Sequence, residues 1–511
     1  MKWSRYLLWM PAAVMMIAGL ALLHPGQPSA QTGEKIKIET MDDLPVHAYP
    51  VAGSASALLA DNVAFAAFLG TLRANVESDL ATYEIEDNAT LQRMYGTLMT
   101  IDMLEGKYDD ALANLAKGKE YEEKEASRLT MGMSSHALIA ARAETDWQND
   151  DAAFRAAFQK HLAARVDELP WDVVQDDIQS NKGRLELYSE NLILGMVQAN
   201  IDPIVANSGE VSGDVAAQIA GIRRLMTLTL PYKAEMIAVY QAYIDNNQVE
   251  KEDIWANRDV ALDPGQDLEP VVLGIWDSGV DVSVFGDAIF VNADEKLDGE
   301  DTDGNGFVDD IHGIAYDKDG VVSPHLLHPL EEVGDRVWTA MKYTKGLTDL
   351  QASIDSPEAS ELKAHIGGLQ PEEVEQFMTD LSFVGLFAHG THVAGIAGAG
   401  NPFAKLLVAR ISFDYRSIPK PPTREIAEQH AASYHAATRY FMENNVRVVN
   451  MSWGWSFKEI EGMLEANGVG ETGEERAELA RKFLDILSTG LHDAMASTPD
   501  ILYVAAAGND D

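Results

Sequence analysis

The stretch His389-Gly390-Thr391-His392-Val393-Ala394-Gly395-Ile396-Ala397-Gly398 is the most informative part of this 511-residue chain. Its glycines and alanines predict a helix whose backbone packs closely against neighbouring elements. We expect His389 to lie at the exposed amino end of that helix, free to act as a general base. His392 is expected to be a packed histidine on the helix flank. A zinc site built from both histidines is the alternative, but the chain has no cysteine and no clear third ligand nearby.

Short and nearly continuous apolar runs lie on both sides of this stretch, as is typical of strands buried on both faces of a parallel sheet. A helical pattern over residues 424–443 leads into the third run, so strands and helices alternate as in an α/β domain. The four runs are residues 271–276, 406–409, 446–449 and 501–505. The sequence therefore predicts an α/β domain with a parallel sheet from about residue 268 onward.

Polar residues follow three of these predicted strands, where open α/β sheets place ligand-binding and catalytic groups. Asp277 follows the first strand, and a carboxylate there can hold a histidine ring in one tautomer and stabilise the imidazolium. Ser452, Trp453 and Gly454 follow the third strand. Asn509 follows the last, where its amide can donate to a developing oxyanion. Taken singly, these residues could equally form a helix cap or a turn.

The aspartate, histidine and Ala-Ala-Gly-Asn segments occur in the order found in subtilisin-like serine peptidases, the subtilase family. Residues from about 268 to 511 resemble the first part of that family's peptidase domain. The resemblance implies that Asp277 orients His389, that His389 is the general base and that Asn509 donates to the oxyanion. It also implies that residues 452–454 bind peptide by strand-like pairing, a mode that recognises main chain and favours endopeptidase activity.

Two features depart from the family pattern. Asp277 and His389 are widely spaced, because residues 323–386 insert helical material near the site. The Gly-Thr-Ser block that carries the family's nucleophile does not occur in residues 1–511, and no serine after His389 follows a Gly-Thr pair. We therefore expect an incomplete peptidase domain that lacks the nucleophile and is inactive as it stands. One alternative is a pseudopeptidase that acts as a peptide- or protein-binding module, and a weaker one is a helical scaffold with a passenger α/β domain.

The acidic segment at residues 301–310 follows the spacing of a calcium loop. Oxygen ligands occupy positions 1, 3, 5 and 9, and a glycine occupies the sharp turn at position 6. Position 12 is His312 instead of glutamate, so the full EF-hand signature fails, although similar acidic loops follow the catalytic aspartate in many subtilases. We expect either a solvated acidic turn or bound Ca²⁺ with the ligands Asp301, Asp303, Asn305 and Asp309.

The amino-terminal half has a helical pattern from about residue 54 to 246, with a run over residues 222–244 that we expect to be interrupted at Pro231. Residues 106–111 resemble the centre of one tetratricopeptide repeat, but no convincing second copy follows, and a helical hairpin is the better interpretation. The predicted organisation is an all-α region before a partial subtilisin-like domain. Its parts are a signal peptide (1–30), a helical region (31–250), a linker (251–267) and the partial peptidase domain (268–511).

Charge and the first residues predict the location and the partners. Lys2 and Arg5 precede an apolar run over residues 6–23, which is typical of a secretory signal peptide cut near Ala30, with an uncleaved anchor as the alternative. The formal charge of −42 repels nucleic acid and anionic lipid, and the absence of cysteine excludes thiol catalysis and disulfides. We expect an exported protein, periplasmic or extracellular, with protein or peptide substrates, no nucleic-acid partner and no membrane contact beyond the signal peptide or anchor.

Overall fold

The computed structural model describes residues 35–38, 44–145, 152–247, 261–330 and 333–508. The predicted signal peptide, much of the predicted linker and Asn509 lie outside the described residues. Within the described ranges, no helix is both long enough and apolar enough to cross a membrane.

Helices make up nearly all of the described amino-terminal region, as its periodicity predicts. The helices of this region are α1 (Ala55–Ala60), α2 (Asn62–Thr82), α3 (Asn88–Glu105), α4 (Tyr108–Glu120), α5 (Glu125–Thr130), α6 (Met133–Glu144), α7 (Ala152–Val166), α8 (Trp171–Leu187), α9 (Glu190–Asn200), α10 (Asp202–Ser208), α11 (Gly213–Arg224) and α12 (Lys233–Asn246). Four strands of three residues, which the sequence analysis did not predict, accompany them: β1 (Ile36–Ile38), β2 (Ala48–Pro50), β3 (Tyr83–Ile85) and β4 (Glu210–Ser212). β1 pairs with β3, and β2 pairs with β4.

Two local features of this region follow from single residues. α3 and α4 form the predicted helical hairpin, and Gly106 ends α3 with a left-handed φ of 74°, which suits glycine. The expected interruption at Pro231 is confirmed, since a π-helical turn (Leu225–Thr229) and a 3₁₀ turn (Leu230–Tyr232) separate α11 from α12. Proline lacks the N–H that a continuous α-helix would need at that position.

The carboxyl-terminal half is an α/β domain built on a six-stranded sheet. Its strands are β5 (Val271–Asp277), β6 (Gly313–Tyr316), β7 (Val322–Ser323), β8 (Ala404–Arg410), β9 (Val446–Met451) and β10 (Leu502–Ala505). Their order is β10-β9-β5-β8-β6-β7, and all neighbours are parallel except β6 and β7. The four predicted strands are confirmed, and β5 lies between two parallel partners near the centre of the sheet.

Six helices accompany the sheet: α13 (Arg336–Gln351), α14 (Pro357–Gly368), α15 (Val374–Ala397), α16 (Arg424–Glu443), α17 (Phe457–Ala466) and α18 (Gly473–Ala496). The helical insertion before the histidine motif is confirmed as α13, α14 and the first half of α15. One prediction was wrong, because His389 does not open a helix. α15 begins at Val374 and runs through His389, since the inserted segment continues into the motif without a proline to break it.

The main core of this domain surrounds Trp276 on β5, whose side chain is nearly fully buried. Its ring makes edge contacts with the rings of Tyr434, Phe441 and Trp453, at centroid distances of 5.8, 5.7 and 5.1 Å. On the opposite face of the sheet, Ile275 packs in a separate cluster that includes residues of α15 and β8. Because β5 is packed on both faces, its carboxyl end is held in a fixed position.

We expect Trp276→Ala to lower the free energy of unfolding by about 3–5 kcal/mol, because it empties the centre of this core. Trp338→Ala is the matched control, since the Trp338 side chain is 63% exposed and its removal should change stability by no more than about 0.5 kcal/mol. Urea unfolding followed by circular dichroism measures both. Equal losses in the two variants would show that the core is not organised around Trp276.

Candidate active site

Asp277 is the last residue of β5, and its side chain is 1% exposed. Its Oδ1 accepts a hydrogen bond of 2.7 Å from the backbone N–H of Ser278 and one of 2.6 Å from Nδ1 of His389. Oδ2 is buried and has no hydrogen-bond partner among the residues that the structure describes. A carboxylate withdrawn from water in this way interacts strongly with the one imidazole it touches.

His389 lies on α15, and its side chain is 31% exposed. Asp277 binds Nδ1, which leaves Nε2 as the ring nitrogen that can exchange a proton with a substrate or nucleophile. The hydrogen bond to Asp277 raises the pKa of His389 above its ordinary value, and this effect outweighs burial, which lowers it. The pair therefore has the chemistry of a base and the group that orients it.

A glycine allows α15 to come this close to the turn after β5. A Cβ atom at position 390 would lie 2.3 Å from the carbonyl oxygen of Gly279 and 3.1 Å from Oδ1 of Asp277. Gly279 itself has a φ of 126°, which a residue with a side chain rarely adopts. The glycines of the two motifs therefore meet at the point where the side chains of Asp277 and His389 meet.

Polar contacts on both sides of this glycine contact fix α15 to the turn. The hydroxyl of Ser278 donates a 2.6 Å hydrogen bond to the carbonyl oxygen of Leu386, one helical turn before His389. The backbone N–H of Asp281 donates to the hydroxyl of Thr391 at 2.9 Å. Sequence analysis did not assign roles to Ser278 and Thr391, although both belong to the motifs that carry the resemblance. Together they hold the ring of His389 in register with Asp277.

The predicted substrate-binding residues follow β9 at the same edge of the sheet. Trp276 of β5 is the register partner of Met451, so Asp277 and Ser452 occupy corresponding positions at the ends of adjacent strands. Ser452 accepts a 3.0 Å hydrogen bond from the amide of Asn450. The Trp453 ring packs inward, 5.1 Å from that of Trp276, whereas Gly454 is exposed with open space around its Cβ position. The main chain at Gly454 is thus accessible, while Trp453 anchors it.

The structure brings two of the four predicted calcium ligands together with one that the loop spacing does not include. Ligand oxygens of Asp301, Asp303 and Glu295 lie within 4.8 Å of one another. Asn305 lies beside them, and its amide donates to Oδ2 of Asp303 at 3.0 Å. Asp309 is turned away and accepts two hydrogen bonds of 2.9 Å from backbone N–H groups at residues 298 and 299. Glu295 precedes the loop, so no calcium-loop pattern points to it.

Asp310 adds a buried carboxyl group next to this cluster. Its residue is 3% exposed, its Oδ2 accepts a 3.0 Å hydrogen bond from the Asn305 amide, and its Oδ1 has no partner in the described part of the chain. Burial raises the pKa of Asp310, and the charge of neighbouring Asp303 raises it further. The carboxylate oxygens of Glu295, Asp301 and Asp303 fit the hard-ligand preference of Ca²⁺, whereas the Asn305 amide oxygen accepts from the backbone N–H of Phe307.

The carboxyl-terminal part of the chain is similar to a known protein family. Residues 346–511 match the model of the Subtilase family. No curated protein and no solved structure matches the chain. The matched segment includes His389 and residues 452–454 and begins after Asp277, which the fold brings to the histidine. Residues 346–511 are therefore similar to the Subtilase family, as the sequence resemblance predicts, and this similarity supports a hydrolase of the serine peptidase type.

We expect Gly390→Ala to destabilise the protein by about 1–3 kcal/mol, because the new methyl group would overlap the Gly279 carbonyl. Gly395→Ala is the control on the same helix, since nothing lies within 4 Å of a Cβ there and the better helix propensity of alanine should stabilise by up to about 1 kcal/mol. Urea unfolding measures both. Equal behaviour of the two variants would contradict the close approach of α15 to the turn.

The raised pKa of His389 predicts a pH-dependent contribution to stability. Because the folded protein binds the proton more tightly than the unfolded chain, the contribution is fully present below the unfolded pKa of about 6.5 and is lost as pH rises through the folded pKa. The difference in unfolding free energy between wild type and His389→Gln should therefore shrink from about pH 5 to pH 9. Parallel curves over that range would show that Asp277 does not stabilise the imidazolium.

Proposed function

We propose that this protein is a serine-type endopeptidase of the subtilisin-like family, with Asp277 as the orienting carboxylate and His389 as the general base. The observation that supports this most strongly is the 2.6 Å hydrogen bond between a buried carboxylate and Nδ1 of a partly exposed histidine. The residues involved are 112 positions apart and belong to two motifs whose order follows the family. In an ordinary buried ion pair both side chains would be buried, whereas the His389 side chain is 31% exposed.

In the proposed reaction, Nε2 of His389 takes the proton of a serine hydroxyl as the hydroxyl oxygen attacks the peptide carbonyl carbon. Asp277 stabilises the imidazolium, which then gives its proton to the leaving amine as the peptide bond breaks. Water repeats the sequence on the acyl-enzyme and releases the acid product. Asn509 is proposed to donate to the oxyanion in both tetrahedral intermediates.

The nucleophile is proposed to belong to a Gly-Thr-Ser block outside residues 1–511. Within the described ranges, the hydrogen bond to Asp277 is the one side-chain hydrogen bond that His389 makes, and no serine or threonine hydroxyl bonds to its ring. The three residues after β9, Ser452 to Gly454, are proposed to bind the substrate main chain by strand-like pairing. Their accessible backbone at Gly454 supports a site that accepts an internal stretch of polypeptide.

The proposal also includes a calcium site and an exported location. The Glu295, Asp301 and Asp303 cluster, with Asn305 and Asp310 beside it, is proposed to hold Ca²⁺ as a structural ion. Asp309, which accepts backbone hydrogen bonds elsewhere, would act on the loop conformation instead. We propose an exported location, periplasmic or extracellular, and the apolar run at residues 6–23 behind two basic residues supports it.

A protein of residues 1–511 should not react with a serine-directed fluorophosphonate, because a base without its nucleophile leaves no group to be acylated. The same protein extended through a Gly-Thr-Ser block should react, and His389→Ala should abolish its peptidase activity. His392→Ala serves as the comparison and should act mainly through folding. Activity lost equally in a fully folded His392→Ala protein would mean that the wrong histidine has been assigned.

The outcome for the extended protein also separates the proposed function from its alternative. A Gly-Thr-Ser extension that still fails to label, together with saturable binding of an unstructured peptide, would support a peptide-binding pseudopeptidase and overturn the proposed activity. Labelling of residues 1–511 alone would place the nucleophile within them and overturn the proposed position of the serine.

Calcium should raise the melting temperature of the protein relative to chelator. At a hundredfold excess over the dissociation constant the stabilisation should be about 2.7 kcal/mol. Asp301→Asn with Asp303→Asn should remove most of the effect, whereas Asp309→Asn should leave a substantial calcium-dependent shift, since Asp309 lies outside the cluster. Differential scanning calorimetry in calcium and in chelator measures this. An unchanged melting temperature would mean that the loop is a solvated acidic turn.

A further inference from the structure

The amino-terminal helical region shares a hydrophobic core with the inserted helices of the peptidase domain. The amino-terminal helices α8 and α9 contribute Leu187 and Leu192 to this core, and the remaining buried members come from α13, α14, the turn after it and the start of α15. Val374, the first residue of α15, is fully buried there. The start of the helix that carries His389 is therefore packed against a region far away in sequence.

Two glycines of the helical region make this contact unusually close. A Cβ atom at position 195 on α9 would lie 2.3 Å from Cγ2 of Val374 and 2.5 Å from the carbonyl oxygen of Pro371. A Cβ atom at position 183 on α8 would lie 2.3 Å from the carbonyl oxygen of Leu350, near the end of α13. Backbone packed against backbone at this distance leaves no room for one surface to slide over the other.

Polar groups fix the same contact. The side-chain amide of Asn191 donates a 2.9 Å hydrogen bond to the carbonyl oxygen of Leu369, just before α15. Glu186 on α8 accepts ion pairs from Lys182 at 3.4 Å and from Lys363 on α14 at 3.6 Å. Lys182 is 3% exposed, and loss of Glu186 would leave its ammonium group buried without this ion pair. The contact is thus specific in geometry as well as apolar.

α15 connects this contact directly to the catalytic base. It is one continuous α-helix from Val374 to Ala397, with no proline that could bend it. Fifteen residues separate Val374 from His389, a distance of about 22 Å along the axis. Between them, Phe383 and Val384 are buried against residues of α13, so the helix is supported along its length. A displacement at the start of this continuous helix would be carried along its axis toward His389 and its contact with Asp277.

We propose that Gly195 and Asn191 are positioning residues for His389: the amino-terminal helical region holds the start of α15 and thereby holds the base against Asp277. This inference rests on the proposed function. It makes the helical region a permanent part of the working peptidase, instead of a segment that could be removed without consequence. Neither residue touches substrate, and both act through the helix.

The pKa of His389 reports its contact with Asp277 without requiring a nucleophile, so the test can use residues 1–511. The protein would be labelled with ¹³C at histidine Cε1, and His389 would be assigned by comparison with His389→Gln. Gly195→Val should lower the pKa of His389 toward the ordinary value of about 6.5. Asn191→Ala, a milder change, should lower it part of the way.

Gly490→Val is the matched control, because a Cβ at position 490 would lie 2.5 Å from Cβ of Ala431 in the contact between α18 and α16, away from α15. It should destabilise the protein comparably and leave the pKa of His389 unchanged. Circular dichroism would establish that each variant is folded, and if Gly195→Val does not fold, Asn191→Ala decides.

An unchanged pKa of His389 in the folded α9 variants would overturn the inference, and so would an equal fall in Gly490→Val. Failure of the proposed function gives a different result. In that case the protein extended through a Gly-Thr-Ser block would still fail to react with a fluorophosphonate, while Gly195→Val would still lower the pKa of His389.

Discussion

The contact between the backbones of Gly390 and Gly279 is the constraint on which the site depends. Any side chain at position 390 would overlap the Gly279 carbonyl, and only this approach lets the α15 imidazole reach the carboxylate at the end of β5. The sheet supplies the fixed partner, because β5 is paired on both edges and packed on both faces. The Asp277–His389 hydrogen bond therefore depends on how closely one helix packs against the end of one strand.

The amino-terminal helical region packs against the carboxyl-terminal α/β domain at two places. One is the shared core of α8 and α9 with the start of α15. The other joins β4 and α11 to α17, where the backbone N–H of Ser212 donates to Glu465 at 2.7 Å and Asp214 pairs with Lys458 at 3.0 Å. Glu465 is 6% exposed, and this burial raises the pKa of its carboxyl group. Contacts of this kind suit a region that remains attached to the domain.

Sequence reasoning predicted the parts of the fold with strong local signals. Nearly continuous apolar runs predicted β5, β8, β9 and β10, whereas β6, with the sequence Gly-Ile-Ala-Tyr, and the two-residue β7 contain no such run. The start of α15 was misplaced because the histidine motif was expected to open a helix, whereas the helix of the preceding insertion continues into it. The family resemblance led us to expect that Asp277 pairs with His389. It gave no reason to expect that this pairing depends on the absence of a side chain at Gly390.

In the site, too, residues within sequence motifs were predicted, whereas residues that meet only in three dimensions were not. Motif order indicated the orienting carboxylate and the base, because those residues recur in a fixed pattern. Glu295 was missed because it reaches the acidic loop from outside the loop's own spacing, and such a contact exists only in three dimensions. The role of the helical region was equally invisible, since Gly195 and Val374 are far apart in the chain and neither belongs to a motif.

Proton NMR of the Nδ1–H group of His389 tests the central claim most directly. At mildly acidic pH, a short hydrogen bond to the Asp277 carboxylate should give a strongly deshielded and exchange-protected proton resonance, coupled to an imidazole nitrogen. We expect this resonance to be present in wild type and absent in Asp277→Asn and in His389→Gln. A spectrum without it, or one in which it survives Asp277→Asn, would contradict the assignment of these two residues as a catalytic pair.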